Sequence, residues 1–458
     1  MKTINVRDLN LDNTGKNLIT NDIKKIIEDN YDEELTIIFP KGIYKLSTIH
    51  LKSNLNIVIE KDALILGADS FYDYDMQEKI DYPLYQDQSH SYFDCSLFVG
   101  RNVENIVFTG GGTIDMNSVW DLDNVRDIVH RGPKCIALKE CKNIVINRLT
   151  LLNATDLCAY YAGCENVICS NLNLRVYIDG ISPDNSKNCI IKNCNIEAGD
   201  DGIVFKSSYT LNRLDTCEDI IVSNCNIKSR CNCIKFGTES NGGFNNIFIK
   251  NIKMKDTRIT GISIESVDGA NIHDIYIKNV KMDNVCAPLF IHLGKRLRGP
   301  EGTDIGSIKD IFIKNIKAKG PYHDYDIIPW NYVTYAKGDT HQYPWFFNYN
   351  GEENPLSYKD TDWQYTSNIC GLSNKHIENI YLKKINFKLE GGCKKWNEDV
   401  PIEPKEYPEV YTYGEILPAK GIFFRDIDNL SLRKIKISTY KEDLRPDVKL
   451  INVTKGVN

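Results

Sequence analysis

Asn143-Ile144-Val145-Ile146, Asn166-Val167-Ile168-Cys169 and Asn188-Cys189-Ile190-Ile191 repeat one short phrase, a turn-forming amide followed by apolar, mostly β-branched residues. The phrase returns as Asp219-Ile220-Ile221-Val222, Asn246-Ile247-Phe248-Ile249, Asp274-Ile275-Tyr276-Ile277 and Asp310-Ile311-Phe312-Ile313. Its last two occurrences are Asn379-Ile380-Tyr381-Leu382 and Asn429-Leu430-Ser431-Leu432. Successive anchors lie 23, 22, 31, 27, 28, 36, 69 and 50 residues apart. The shorter intervals suit a coil of three short strands and three turns, and the longer ones suit coils carrying inserted loops. Apolar alternation bounded by Asn or Asp is a strand signal, and self-similarity at a period of this size marks a solenoid. A leucine-rich repeat would show a fixed leucine framework, which is missing. A propeller blade needs four strands over about 40 residues. The sequence therefore predicts an all-β chain, a single-stranded right-handed parallel β-helix with a short N-terminal capping helix.

Length alone, 458 residues, suggests about three ordinary domains, but stacked repeats share one continuous core. One β-helix domain over 1–458 is expected, with residues 1–50 as an N-terminal cap region. Thr20 is the expected N-cap of an amphipathic helix over Asp22–Asp29. From about 321 to 365 the repeat is interrupted by an aromatic-rich insertion containing Trp330, Tyr343, Trp345, Phe346, Phe347, Tyr349, Trp363 and Tyr365. A long loop of this kind is usually functional or disordered. It reads either as one wall of a sugar-binding cleft or as a loop folding its own rings against the solenoid.

The composition is 42% hydrophobic and 26% charged, with a net charge of −6. The acidic balance argues against nucleic acid as the main partner, and lysines interspersed with acids read as a solvated surface without a basic run. No apolar run approaches the roughly 20 residues that cross a bilayer. The start, Met1-Lys2-Thr3-Ile4-Asn5, turns polar at once, which gives a cytoplasmic expectation. The 15 cysteines fall mostly inside apolar strand runs and read as buried, reduced thiols. Cys231-Asn232-Cys233 lacks the spacing of a zinc site. No metal and no cofactor is expected, and the oligomeric state stays open.

Asp179 follows its anchor Asn166 by 13 residues, and Asp201 follows Asn188 by the same 13. Equal offsets in a β-helix mean vertical stacking, about 4.8 Å apart. Asp200 adjoins Asp201, so three carboxyl groups converge. Crowded carboxylates raise at least one pKa, and glycoside hydrolysis needs one protonated acid beside one base. The bland alternative is that Asp simply tolerates tight turns. Two stacked acids with a neighbour favour the functional reading.

Asp179-Gly180-Ile181-Ser182-Pro183-Asp184 and Gly199-Asp200-Asp201-Gly202 together resemble the paired-acid motifs of glycoside hydrolase family 28, the polygalacturonase-like enzymes of the pectin lyase-like superfamily. Arg131-Gly132-Pro133, Phe39-Pro40-Lys41-Gly42-Ile43-Tyr44 and Gly110-Gly111-Gly112-Thr113-Ile114-Asp115 add landmarks, and the chain reads as a divergent member. The resemblance implies inverting hydrolysis of α-linked pectic chains, galacturonide or rhamnoside in type. It implies Asp200 as general acid, with Asp179 and Asp201 holding the water. Tyr177 replaces the family's first-motif Asn, Asn232-Cys233 replaces its His-Gly, and Ser263-Ile264-Glu265 replaces its Arg-Ile-Lys. Losing two cations and gaining an acid disfavours a uronate at that subsite.

Lys206, Asn232, Lys235, Glu239, Glu265 and Arg296 are the candidate substrate-binding residues, with Arg230, Arg258, Asp268 and His292 as further possibilities. Glu239 doubles as an alternative acid. The leading expectation is an exo-acting glycosidase whose partner is an oligosaccharide, with neither nucleic acid nor membrane as a partner. The rivals are a β-helix lyase or epimerase, which needs a cation or metal at the carboxylate, and a non-catalytic carbohydrate-binding β-helix.

Overall fold

The computed structural model describes residues 1–121, 131–322, 365–402, 408–414 and 416–456. Each middle coil has three strands. The first carries the anchor, as in Glu165–Ser170 and Lys187–Lys192. The second is shorter, as in Asn173–Val176 and Asn195–Ala198. The third completes the coil, as in Ile181–Asp184 and Ile203–Ser207. Each strand pairs in parallel with its counterpart one coil on: Ile168 with Ile190, Leu174 with Ile196 and Ile181 with Ile203. From Gly243 onward the strands run through the corners, giving Gly243–Ser266 and Asn271–Leu293. This is a parallel β-helix.

All nine anchors stack in one file, because Ile144, Val167, Cys189, Ile220, Ile247, Ile275, Ile311, Ile380 and Leu430 occupy the same rung position. Every anchor has a left-handed backbone, with φ between 52° and 63°. Asn and Asp tolerate that region best among residues with a side chain. The anchors therefore recur because the bend recurs. Side-chain amides also bridge the coils: Asn143 Nδ2 donates to Asn105 Oδ1 at 2.9 Å and Asn166 Nδ2 to Asn143 Oδ1 at 3.1 Å.

The interior is filled by alternate residues such as Ile144, Ile146, Val167, Cys169, Ile220 and Val222, all buried. All fifteen cysteines are buried and none is in a disulfide, as apolar strand positions require. A second apolar cluster lies on the outer face of the third strands. There Tyr160, Ile178, Ile259, Phe290 and Phe423 pack with Phe93 and Tyr413 from inserted loops.

The N-terminal helix runs Thr20–Glu28, with Ile19 as N-cap and no side-chain capping bond. Thr20 is thus inside the helix, where its Oγ1 accepts from the Ser47 amide at 2.8 Å; the preference of Thr for capping yields to this tertiary bond. Ile23, Ile26 and Ile27 join the main core. No helix among the described residues is long and apolar enough to cross a membrane. Of the insertion 321–365 only its ends are described, Pro321 and Tyr322 at one side and Tyr365 at the other. The remaining aromatic residues quoted above lie outside the described residues.

Candidate active site

The corner between second and third strands differs from the other corners in carrying both the acids and the longest loops. In two coils it is short, Tyr177–Gly180 and Gly199–Gly202, and holds Asp179, Asp200 and Asp201. Before and after them the same corner opens into residues 68–95, and the described residues 116–121, 131–133, 321–322, 365–366, 392–402, 408–414 and 416–421 leave or enter it likewise. A short turn thus fixes the acids, while long loops from coils on either side supply further groups. Gly199 is required here because a Cβ would stand 2.1 Å from the Tyr177 carbonyl oxygen.

Asp179 and Asp201 stack as their offsets predict. The Gly180 amide donates to the Asp201 carbonyl at 3.0 Å, and the Gly202 amide to that of Asn232 at 2.9 Å. The side chains continue the file. The Asp201 amide donates to Asp179 Oδ1 at 3.0 Å. Asp201 Oδ1 in turn accepts from the Asn232 amide at 3.0 Å and from Asn232 Nδ2 at 2.9 Å. One carboxylate oxygen from each of Asp179, Asp200 and Asp201 lies within 4.8 Å of the others.

Burial pushes the Asp179 carboxyl well above the usual carboxylate range, and the charges of Asp200 and Asp201 add to the rise. Asp200 is pushed up to about 6 by burial and by Asp201, against the pull of Arg131 and Lys235. Groups this close titrate as a unit, so the cluster holds a proton more tightly than an isolated carboxyl group does. Such retention is what the acid of an acid-base cleavage needs.

Next to the acids sits a buried ion cluster that sequence reading had only in part. Lys235 Nζ donates to Glu409 Oε1 at 2.6 Å and lies 3.7 Å from Glu265 Oε1. Burial lifts Glu265 to about 8 although Lys235 opposes it, and Ser263 Oγ donates to it at 2.5 Å. Burial also raises Glu409. Two carboxyl groups therefore share one ammonium, and a proton on Glu265 leaves the cluster near neutrality.

The other candidates are engaged differently. Lys206 Nζ donates to Glu239 Oε2 at 2.5 Å. Burial would raise Glu239, but the charge of Lys206, followed by His90 and Arg296, holds it well below its usual range. Glu239 is therefore ill suited to donate a proton. Arg296 forks onto Asp268 and donates to Thr238 Oγ1 and the Thr238 carbonyl, both at 3.1 Å. His292 is buried rather than solvated: it stacks on Phe290, shares a 2.6 Å hydrogen bond with the Tyr413 hydroxyl, and is lowered to about 3 by burial and Arg425.

Three contributors had no repeat to announce them. Glu409 arrives from a loop 174 residues beyond Lys235. Arg131 Nη1 donates to Ser89 at 3.0 Å and stands 3.9 Å from Asp156; its Arg-Gly-Pro setting was the one available signal. His90, lowered to about 4 by burial and then Lys206, comes from the 68–95 loop.

Two buried acids, Asp179 and Asp201, and the half-buried Asp200 thus meet at one corner of a parallel β-helix. The family model of the glycosyl hydrolases family 28 matches residues 35–321, and the chain belongs to that family. A probable polygalacturonase of Vitis vinifera is 24% identical over 258 residues, covering 53% of this chain and 52% of that protein. The chain thus spans about half the length of the curated relatives it matches. Among solved structures, a hyperthermoactive exopolygalacturonase of Thermotoga maritima superposes with a TM-score of 0.66 at 17% identity, over 95% of this chain and 92% of that one. A family 28 exopolygalacturonase of Yersinia enterocolitica superposes at 0.68 and 16%, over 100% and 79%. Identities this low show a shared fold and no more.

Proposed function

We propose that the chain is an inverting glycoside hydrolase that cleaves α-linked, pectin-derived oligosaccharides from a chain end. The observation that carries this reading is the trio of carboxyl oxygens within 4.8 Å on adjoining coils, with Asp200 raised to about 6. In this reading Asp200 protonates the leaving glycosidic oxygen. Asp179 and Asp201 hold a water and remove its proton as it attacks the anomeric carbon from the opposite face. Carboxyl oxygens within 4.8 Å of one another suit one shared water, since each hydrogen bond spans about 2.8 Å.

The short separation also favours a second reading. Inverting enzymes commonly hold their carboxyl groups about 6.5–9.5 Å apart, and retaining ones about 5–5.5 Å. Direct attack by one carboxylate, with net retention, is therefore the rival mechanism. Proton NMR of the first-formed product separates the two: a β-anomer from an α-linkage supports inversion, and an initial α-anomer overturns it.

Asn232, Lys235 and Glu265 adjoin the acids and are assigned to the sugar at the cleavage point; Lys206, Glu239 and Arg296 lie further along the third-strand face. Lys235 is already matched by Glu409 and Glu265, which disfavours a uronate there and supports a neutral, rhamnoside-type residue. Exo action rests on the long loops that leave the acid corner on either side. A panel of α-rhamnosides, galacturonides and pectic oligosaccharides, scored for release of monomer and for absence of ultraviolet-absorbing unsaturated product, tests substrate, mode and the lyase alternative together. If the parent chain binds these sugars and cleaves none, the non-catalytic alternative prevails.

A further inference from the structure

The repeat places cations where linear reading finds none gathered. Four residues after each of five consecutive anchors stands Lys250, Lys278, Lys314, Lys383 or Arg433. Register makes them one file: Lys250 pairs with Lys278, Lys278 with Lys314, Lys314 with Lys383 and Lys383 with Arg433. All five are exposed, and among the described residues none forms an ion pair. Across the bend, Lys253, Lys281, Lys317 and Lys436 form a second exposed file, with Asn386 on the intervening rung. Lys384 and Lys434 occupy the bend itself. In a chain of net charge −6, this is a strongly basic ridge along the corner between first and second strands.

An aromatic strip borders the ridge. Phe248, Tyr276, Phe312 and Tyr381 stand two residues before the first four cations and stack face to face, with centroids 4.7, 4.9 and 4.7 Å apart. On the other side Lys253 and Lys255 line a concave surface of about 430 Å³. Like charges stacked on neighbouring strands repel, and an anion lying along the ridge would relieve that repulsion.

We infer that this ridge binds a linear acidic polysaccharide, a chain carrying one carboxylate on each sugar, at a surface separate from the acid corner. The rung spacing, about 4.8 Å, is close to the length of one pyranose unit, so carboxylates that project to either side of a chain lying along the bend meet the two flanking files of cations. The neighbouring ring edges supply an apolar strip for the sugar carbons. A DNA duplex offers phosphates about every 3.4 Å per strand along its axis, and they wind away from a straight file.

Binding on the ridge is independent of bond cleavage, so it is measured with Asp200→Asn to keep the polymer intact. Titration calorimetry uses de-esterified polygalacturonate, with dextran as the uncharged control. The expected result is binding of polygalacturonate that weakens with added salt, no binding of dextran, and at least tenfold weaker binding after Lys278→Glu, Lys314→Glu and Lys383→Glu together. Unchanged affinity in the triple variant, or no binding by the parent, overturns the inference. So does tighter binding to a DNA duplex or to phosphatidylglycerol vesicles. With Asp200 restored, the triple variant keeps its turnover of short oligosaccharides. Loss of hydrolysis in every form sinks the enzymatic reading and leaves the binding result standing.

Discussion

Two corners of the same coil stack like charges in opposite ways. At the corner between second and third strands, Asp179 and Asp201 are each 5% exposed, and burial together with the charges of Asp200 and Asp201 raises the proton affinity of Asp179. At the corner between first and second strands, the lysines stand in water, where screening leaves each pair little energy. Parallel register builds both files, and depth decides their use. Loops over one corner exclude solvent and turn repulsion into proton storage. The bare corner keeps its charge and offers it to a partner.

Four measurements sharpen that contrast, in falling order of effect. Asp200→Asn removes the proposed proton donor and lowers kcat by about 10²–10⁴-fold, with an unchanged circular dichroism spectrum. Lys235→Met leaves Glu409 and Glu265 without their shared cation, and denaturant unfolding should show a loss of about 3–5 kcal/mol. The third is pH dependence. Asp200 lies at about 6 against an ordinary 3.8, and Glu265 at about 8 against 4.5, so the folded chain binds their protons more tightly than the unfolded one. Their contribution to stability is complete below about pH 4 and is lost as pH rises through 6 and then 8. Melting temperature should fall across that window, and Glu265→Gln should flatten the upper part. A parent melting temperature that rises from pH 5 to pH 8 breaks the picture. Last, Lys314→Glu on the exposed ridge should change stability by less than about 0.5 kcal/mol, and raising the salt should shrink even that.

How much of this was legible follows from what repeats. The anchors were readable because a left-handed bend selects Asn or Asp at every coil. The acids were readable because Asp179 and Asp201 share one offset from their anchors. Glu409 and His90 were not, because they come from loops with no period, and only folding brings them to the acids; Arg131 was marked by its Arg-Gly-Pro setting alone. Arg296 was visible as a cation, but nothing in the linear order shows that Asp268 and Thr238 engage it. The lysine ridge stands between these cases. Each member follows its anchor by four residues, yet intervals of 28, 36, 69 and 50 residues scatter them among acids until register aligns them.

The side-chain amides that bridge the coils have a direction. Asn246 donates to Asp219, and Asn379 Nδ2 donates to Asp310 Oδ1 at 2.8 Å. A carboxylate in the earlier coil can only accept, so polarity at these rungs runs backward along the chain; Asn143 and Asn166 donate the same way. A ribosome releases the N-terminal coils first. Each newly emerged turn therefore carries the donor for an acceptor that has already been synthesised.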